Sequence, residues 1–153
     1  MKSMVVPRRR VRARVRLADS VYEGALYAPV EEPGGGPGRL SDRLNESQEK
    51  YIPLALENRH VLLRKASIVV VELGEEEREI EQQVTRAARE LHLRFRLSDG
   101  TTLRGRTHAE MPPESARVLD FMNERAPRFI TLLRDGQVLI LNERHVTAVS
   151  EEG

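Results

Sequence analysis

The sequence predicts an α+β protein, mostly β, made of two tandem ββαβββ units that are joined by a short helix. Two observations lead to this prediction: a long segment recurs 78 residues further along the chain, and each copy opens with alternating apolar and charged residues. Such alternation is typical of a strand with one buried face. Five short strands and one helix usually form a small bent sheet or a partly open barrel. We therefore predict a first unit at residues 8–73, a connecting helix at 74–90 and a second unit at 91–151.

The repeat is clearest in the middle of each unit. RLSDRLNESQEKYIPL, which begins at Arg39, aligns without a gap with RVLDFMNERAPRFITL, which begins at Arg117. The same spacing places HVLLRKASIVVVE from His60 on VLILNERHVTAVS from Val138. Nearer the start, VRLADSVYEG matches FRLSDGTTLRG after a slip of two or three residues. Similarity at a fixed spacing is the sequence signature of repeated structural units.

Each unit is expected to open with two strands. Apolar residues occupy every second position of the first strand, and these are Val11, Ala13, Val15 and Leu17 in the first unit and Leu91, Leu93, Phe95 and Leu97 in the second. Asp99-Gly100 then predicts a tight hairpin turn into a second strand at about 101–109. A loop follows, which contains EEPGGGPG in the first unit and Pro112-Pro113 in the second.

A short helix and three strands are expected to complete each unit. The apolar side of the helix carries Leu40 and Leu44 in the first unit, and Val118, Phe121 and Met122 in the second. The predicted strands lie at 51–56, 61–64 and 67–72, and again at 129–134, 137–141 and 145–150. Asp135-Gly136 marks another tight hairpin between two of them.

The segment between the units, EEEREIEQQVTRAARE at 75–90, fits a connecting helix. Ile80, Val84, Ala87 and Leu91 recur at helical spacing. Three glutamates open the segment, at the end of a helix where the dipole favours negative charge.

The order of LSDG, L-x-G, a Pro/Gly loop, RLSDxLN and a strand ending in VLLxKxxIVxV resembles a family of short, uncharacterised bacterial proteins. The resemblance implies a small β-rich domain and no particular activity. In strand count the unit is also similar to SH3-type and Sm-type small barrels, which usually carry their helix at one end instead of after the second strand. That similarity concerns architecture alone and carries no function.

Composition excludes several classes of protein. The net charge of +1 gives no overall field that would attract the chain to nucleic acid or to a membrane. The absence of cysteine excludes disulfide scaffolds, thiolate metal sites and cysteine nucleophiles, and it fits a reducing cytoplasm. The start, MKSMVVPRRR, lacks the apolar core of a signal peptide, and no window approaches 18 apolar residues. We expect a cytoplasmic protein with no membrane association.

The most distinctive chemical feature is a set of arginines at alternate positions of the predicted hairpins. Alternate residues of a strand point to the same face, so these arginines should form rows on the face opposite the core. The residues predicted to form a partner-binding face are Arg8, Arg10, Arg12, Arg14, Arg16, Arg94, Arg96, Arg104 and Arg106. The rows could be a solvated sheet face that also protects an edge from aggregation, a docking face for an acidic partner, or a site for phosphates.

We find no pattern that predicts catalysis, a metal site or a cofactor. None of the four histidines stands three or four residues from another, so no helical metal pair exists. No serine lies in a nucleophile motif, and the glycine-rich loop lacks the lysine of a phosphate-binding loop. Asn45 and Asn123, which recur at the 78-residue spacing, are expected to end the two short helices in the left-handed conformation.

The sequence therefore predicts a non-enzymatic, protein-binding adaptor or scaffold. It would dock an acidic or extended segment of a partner protein on the arginine-rich sheet face, as a monomer or a homodimer. One alternative is nucleic-acid or nucleotide binding by the same arginines. Another is a structural homo-oligomer in which the units pair between chains.

Overall fold

The computed structural model describes residues 8–30, 36, 38–82, 88–110, 118–123 and 128–152. Most of the predicted EEPGGGPG loop, the Pro112-Pro113 turn and residues 83–87 of the predicted connecting helix lie outside these residues.

Ten strands and three short α-helices are present in the described residues. The strands are β1 (Arg8–Leu17), β2 (Val21–Pro29), β3 (Tyr51–Ala55), β4 (His60–Arg64), β5 (Ile68–Gly74), β6 (Ala88–Leu97), β7 (Thr102–Glu110), β8 (Phe129–Arg134), β9 (Gln137–Asn142) and β10 (Val146–Glu151). The helices are α1 (Leu40–Leu44), α2 (Arg78–Glu81) and α3 (Val118–Asn123). Single 3₁₀ turns lie at Lys65–Ser67, Glu75–Glu77 and Glu143–His145.

The predicted mostly-β class is confirmed, but the strands form one continuous sheet. All ten pair antiparallel in the order β10-β6-β7-β8-β9-β5-β1-β2-β3-β4. We call β1 to β5 the first half and β6 to β10 the second half. In both halves the fifth strand pairs with the first, and the remaining strands follow in sequence order. The halves are joined where β5 pairs with β9, and we call this pairing the seam.

Strand registers in the two halves correspond. Tyr51 pairs with Arg64 in β3–β4, and Phe129 pairs with Asn142 in β8–β9. The β1–β5 ladder shifts register after Arg16, and the β6–β10 ladder shifts at the corresponding place. In both halves an N–H after the fourth strand donates to a carbonyl before the third, from Lys65 to Lys50 and from Glu143 to Arg128, each at 2.9 Å.

Two hydrophobic cores lie on opposite faces of the seam. In β9, Val138 and Ile140 enter the first core, which contains the apolar residues of β1 to β4 and α1, while the alternate residues Leu139 and Leu141 enter the second. The seam strand β5 likewise sends Val71 to the first core and neighbouring residues to the second. Because both faces of these strands are buried, their sequences run apolar almost without interruption.

Glycines sit where a side chain would not fit or where φ is positive. Gly100 and Gly136, at φ +87° and +71°, form the two predicted hairpin turns. Gly24 lies where β2 passes β3, and a Cβ there would stand 2.3 Å from the carbonyl oxygen of Ala55. That contact forces β2 and β3 apart if any side chain replaces the hydrogen.

The end of the predicted connecting helix at 74–90 belongs to a strand instead. In the described part of this segment, the 3₁₀ turn at Glu75–Glu77 leads into the α-helix Arg78–Glu81, whereas Ala88 pairs with Glu110 at the start of β6. The β6–β7 ladder extends towards the N-terminus beyond Leu91, where the predicted strand begins. Residues 88–90, which helical spacing assigned to the helix, are therefore paired in β6.

Candidate binding surface

The predicted alternation of β1 places its arginines in a row. Val11, Ala13 and Val15 are buried in the first core. Arg8, Arg10, Arg12 and Arg14 are exposed, and Arg16 is half-buried. The row therefore lies on the face of β1 that points away from the first core.

On the strands paired with β1, acidic residues lie opposite Arg14 and opposite no other arginine of this row. Arg10 lies opposite Tyr27, and Arg14 lies opposite Glu23 on one side and Glu72 on the other. Arg14 Nε lies 3.8 Å from Glu23 Oε1, with the two side chains 53% and 74% exposed. Ion pairs this exposed contribute little to stability, so Arg14 remains available to a partner.

Arg16 reaches the opposite half of the molecule. Its guanidinium lies 3.4 Å from Thr101 Oγ1, at the β6–β7 turn. In that turn Asp99 accepts hydrogen bonds from the Thr101 hydroxyl and backbone N–H. These bonds, with a smaller contribution from the charge of Arg16, hold the pKa of Asp99 below its usual range. Arg16 is thus partly engaged within the fold.

The second group of predicted residues shares one face of the β6–β7 hairpin. Arg94 lies directly opposite Arg104, and Arg96 lies opposite Thr102. Like charges placed directly opposite each other destabilise a sheet. Arg104 forms an ion pair with Glu152 at 2.8 Å, with its side chain 64% exposed. Arg94, Arg96 and Arg106 form no ion pair with any residue that the structure describes.

A shallow open groove of about 360 Å³ runs beside this hairpin. Its charged and polar lining comprises His92, Arg104, Arg106, Arg134, Asp135 and Glu152. Four of these six side chains are basic or can become so, which suits an anionic ligand better than an apolar one. Arg94 and Arg96 line a second, smaller recess of about 180 Å³ beside β10.

The two arginine groups do not form one row. Four strands, β7, β8, β9 and β5, separate β6 from β1 in the sheet. The structure therefore brings Arg94, Arg96, Arg104 and Arg106 together, and it keeps the β1 row as a separate surface. We call the first group, on β6 and β7, the hairpin face.

A buried polar network around the connecting segment was not predicted. Arg9 donates to Glu77 Oε2 at 2.9 Å and to the carbonyl oxygen of Gly38 at 3.1 Å. Glu81 Oε2 accepts the N–H of Leu40 at 2.8 Å, at the start of α1. Burial raises the pKa of Glu81. The sequence contains one indication of this network. Glu77 and Glu81 are four residues apart, which places both on the same side of a helical segment.

Asn45 has a different role from the predicted one. It ends α1 at φ −85°, and positive φ among the described residues occurs only at glycines. Its side chain instead crosses the seam: Oδ1 accepts the N–H of Phe129 at 2.7 Å, and Nδ2 donates to the carbonyl oxygen of Phe129 at 3.1 Å. The recurrence of this asparagine at the 78-residue spacing was a signal of importance, but it could not reveal a contact between halves.

The described residues hold neither a clustered metal site nor a membrane-spanning helix. They contain no group of three or more His, Cys, Asp or Glu side chains placed to hold a metal ion. No helix among them has the length and apolar character needed to cross a membrane.

Comparisons with protein-family models, with curated proteins and with solved structures each found no match to this chain. The resemblance to a family of short bacterial proteins therefore stays a prediction.

Proposed function

We propose that this protein is a non-enzymatic adaptor that docks an acidic segment of a partner protein on the hairpin face. The observation that carries the proposal is the direct opposition of Arg94 and Arg104, both exposed, with Glu152 as the acidic partner of one of them. The opposed arginines do not stabilise the sheet by themselves. An anionic partner that binds both of them would supply the negative charge that the chain itself provides to only one.

The shape of the surface favours an extended acidic peptide. The groove beside the hairpin is open and shallow, and its lining mixes arginines with the half-buried backbone position Gly105. Glutamate or aspartate side chains of a bound segment would form bidentate pairs with the arginines at the rim. Partner residues that are already extended lose little conformational freedom on docking.

We also propose that the two halves are copies of one ββαβββ unit. This is supported by the sequence repeat, the equal strand order, the corresponding registers and the paired hydrogen bonds of Lys65 and Glu143. The β1 row and the hairpin face then occupy equivalent strands of the two copies. A duplicated adaptor would offer two similar surfaces, to one long acidic segment or to two partners.

A second candidate function is binding of single-stranded nucleic acid, and one observation favours it. Beside Arg10 in the β1 row, Tyr27 stacks on His60 with ring centroids 6.4 Å apart. Stacked rings next to a cation are what bases require. The hairpin face, by contrast, presents no aromatic side chain, because Phe95 of β6 is fully buried. The arginines of the hairpin face therefore favour a carboxylate-rich partner.

The test measures binding of two labelled probes, a poly-glutamate peptide and a poly-thymidine oligonucleotide, by fluorescence anisotropy. The variant Arg94→Glu with Arg104→Glu should weaken peptide binding by about tenfold or more, because it replaces two cations by two anions on the surface where the acidic peptide docks. Arg144→Glu, at an exposed arginine outside both groups, is the matched control and should leave binding unchanged.

The outcomes separate the candidates. Unchanged peptide binding by the double variant would show that the hairpin face does not bind the peptide. Tighter binding of the oligonucleotide than of the peptide, lost in Arg10→Glu, would instead favour the nucleic-acid function. Circular dichroism of each variant must show an unchanged fold. The double variant should melt slightly below the wild type, because it replaces one like-charge pair by another and loses the exposed ion pair of Arg104 with Glu152.

A further inference from the structure

The seam is an interface between the fourth strand of one half and the fifth strand of the other. Val71 pairs with Ile140 at its centre, and Leu73 pairs with Val138. Through this pairing Ile140 and Phe129 of the second half enter the first core. Asn45 fastens the contact by its two hydrogen bonds to the backbone of Phe129.

The two ends of the sheet carry the same kinds of strand, and neither end strand has a second partner among the residues that the structure describes. The fourth strand of the first half, β4, forms one end, and the fifth strand of the second half, β10, forms the other. At the 78-residue spacing β4 corresponds to β9, and β10 corresponds to β5. The free ends of the sheet are therefore counterparts of the two sides of the seam.

Backbone groups on both free strands point outward at the corresponding positions. Leu56 donates to Arg59 and Lys65 donates to Lys50, which fixes the alternation of hydrogen bonds along β3–β4. By that alternation the N–H and C=O of Leu62 point away from β3.

The same argument applies at the other end of the sheet. Glu152 donates to His92 in the β6–β10 ladder. The N–H and C=O groups of Val149 and Glu151 therefore point away from β6.

Two side chains of the second half that the seam buries have counterparts in the first half that are exposed at the free β4 end. Ile140 and Phe129 are 0% and 8% exposed, whereas their counterparts Leu62 and Tyr51 are 67% and 44% exposed. Leu62 and Tyr51 are among the few large apolar side chains that the described residues expose. Two residues that the seam covers, Ile140 and Phe129, thus have uncovered counterparts in the first half.

We infer that this protein assembles with copies of itself head to tail, with β10 of one chain pairing antiparallel with β4 of the next in the register of the seam. This inference rests on the proposed equivalence of the two halves. The register places Val149 opposite Leu62 and Ser150 opposite Val61. It then places Glu151 opposite His60 and Glu152 opposite Arg59, so that Glu152 meets a charge of opposite sign at the end of the ladder.

The added contacts repeat those of the seam. Leu62 of one copy packs beside Val149 at the border of the second core of its neighbour, as Ile140 packs beside Val71. The side chain of Asn123 binds the backbone N–H and C=O of Tyr51 in the neighbouring copy, as Asn45 binds Phe129. Because the two surfaces differ, the contact is heterologous, and it generates a ring where the rotation closes or a filament where it does not.

The first experiment is light scattering of the purified full-length chain across a concentration series. The expected result is a mean mass above that of one chain, 17.4 kDa, that rises with concentration. Leu62→Lys should shift the assembly midpoint to a concentration about tenfold or more higher, because it removes a buried leucine contact and places a charge in the neighbour's core. Val21→Lys, at an exposed apolar residue of β2 away from both free strands, is the matched control and should assemble like the wild type.

Mixing two variants tests the head-to-tail direction. Glu151→Pro blocks the β10 side, at an exposed position whose N–H does not bond β6 and where an edge strand accepts proline. Leu62→Lys and Glu151→Pro should each be monomeric, and together they should form a complex of one chain of each. Assembly of Glu151→Pro alone would show that β4 pairs with itself and would overturn the inference.

A monomeric wild type at its highest soluble concentration would also overturn the inference, and would leave the free strands to an extended segment of a different protein. Measuring poly-glutamate binding by the same edge variants distinguishes failure of this inference from failure of the adaptor proposal. Edge variants that lose assembly should still bind the peptide, whereas Arg94→Glu with Arg104→Glu should lose the peptide and still assemble.

Discussion

Replacing Asn45 by alanine tests whether the seam is held by one side chain. The change removes two partly buried hydrogen bonds, of 2.7 Å and 3.1 Å, to the backbone of Phe129. Each such bond contributes about 1 kcal/mol net, and Phe129 is only 8% exposed, so water replaces the lost partner poorly. We expect the free energy of unfolding to fall by about 2 kcal/mol, which lowers the melting temperature by about 4–8 °C for a chain of this length.

Urea and thermal denaturation followed by circular dichroism measure this loss. The Leu62→Lys background keeps assembly between chains from adding to the stability. Asn58→Ala, at an exposed asparagine between β3 and β4, is the matched control and should change the free energy of unfolding by less than about 0.5 kcal/mol. A loss from Asn45→Ala no larger than that of the control would refute the assignment of Asn45 as the fastening residue of the seam.

Two further changes probe other parts of the fold. Burial raises the pKa of Glu81, so its ionisation opposes folding as the pH rises through that raised pKa, and its favourable contribution is present only at lower pH. Glu81→Gln, which keeps an acceptor for the N–H of Leu40, should therefore remove part of the loss of stability between mildly acidic and neutral pH; parallel pH profiles of the two proteins in urea denaturation would contradict this. Gly24→Val would place carbon atoms against the carbonyl oxygen of Ala55, so we expect the free energy of unfolding to fall by about 2 kcal/mol or more, and an unchanged urea midpoint would show that β2 and β3 can separate freely.

Local patterns in the sequence were sufficient for most of the strands. The alternation of Val11, Ala13 and Val15 against arginines predicts both β1 and its buried face, and the structure confirms it. The hairpin turns at Gly100 and Gly136 could be predicted because glycine adopts positive φ without a steric penalty, whatever its surroundings. The arginines of the hairpin face were found by the same parity argument, and their mutual opposition follows from the position of the turn at Asp99-Gly100.

Contacts between the halves could not be predicted in the same way. Nothing local in VLIL of β9 specifies β5 as its neighbour, since any buried strand would serve. The glutamates at the start of the connecting segment were assigned to the end of a helix where the dipole favours negative charge. The partners of Glu77 and Glu81, Arg9 and Leu40, lie tens of residues away in sequence and could not be inferred. Asn45 was assigned to a helix end for its intrinsic preference, whereas its role depends on a residue of the other half.

The seam also affects how the protein folds while it is being synthesised. The first core is completed by Phe129, Leu133, Val138 and Ile140, which emerge from the ribosome long after the strands that they cover. While the second half is still being translated, β5 has one edge without its partner β9, and Val69 and Val70, which belong to the second core, lack the residues that cover them. Because an apolar edge strand in that state can pair with other chains, we expect aggregation to be most frequent between translation of residue 74 and residue 140.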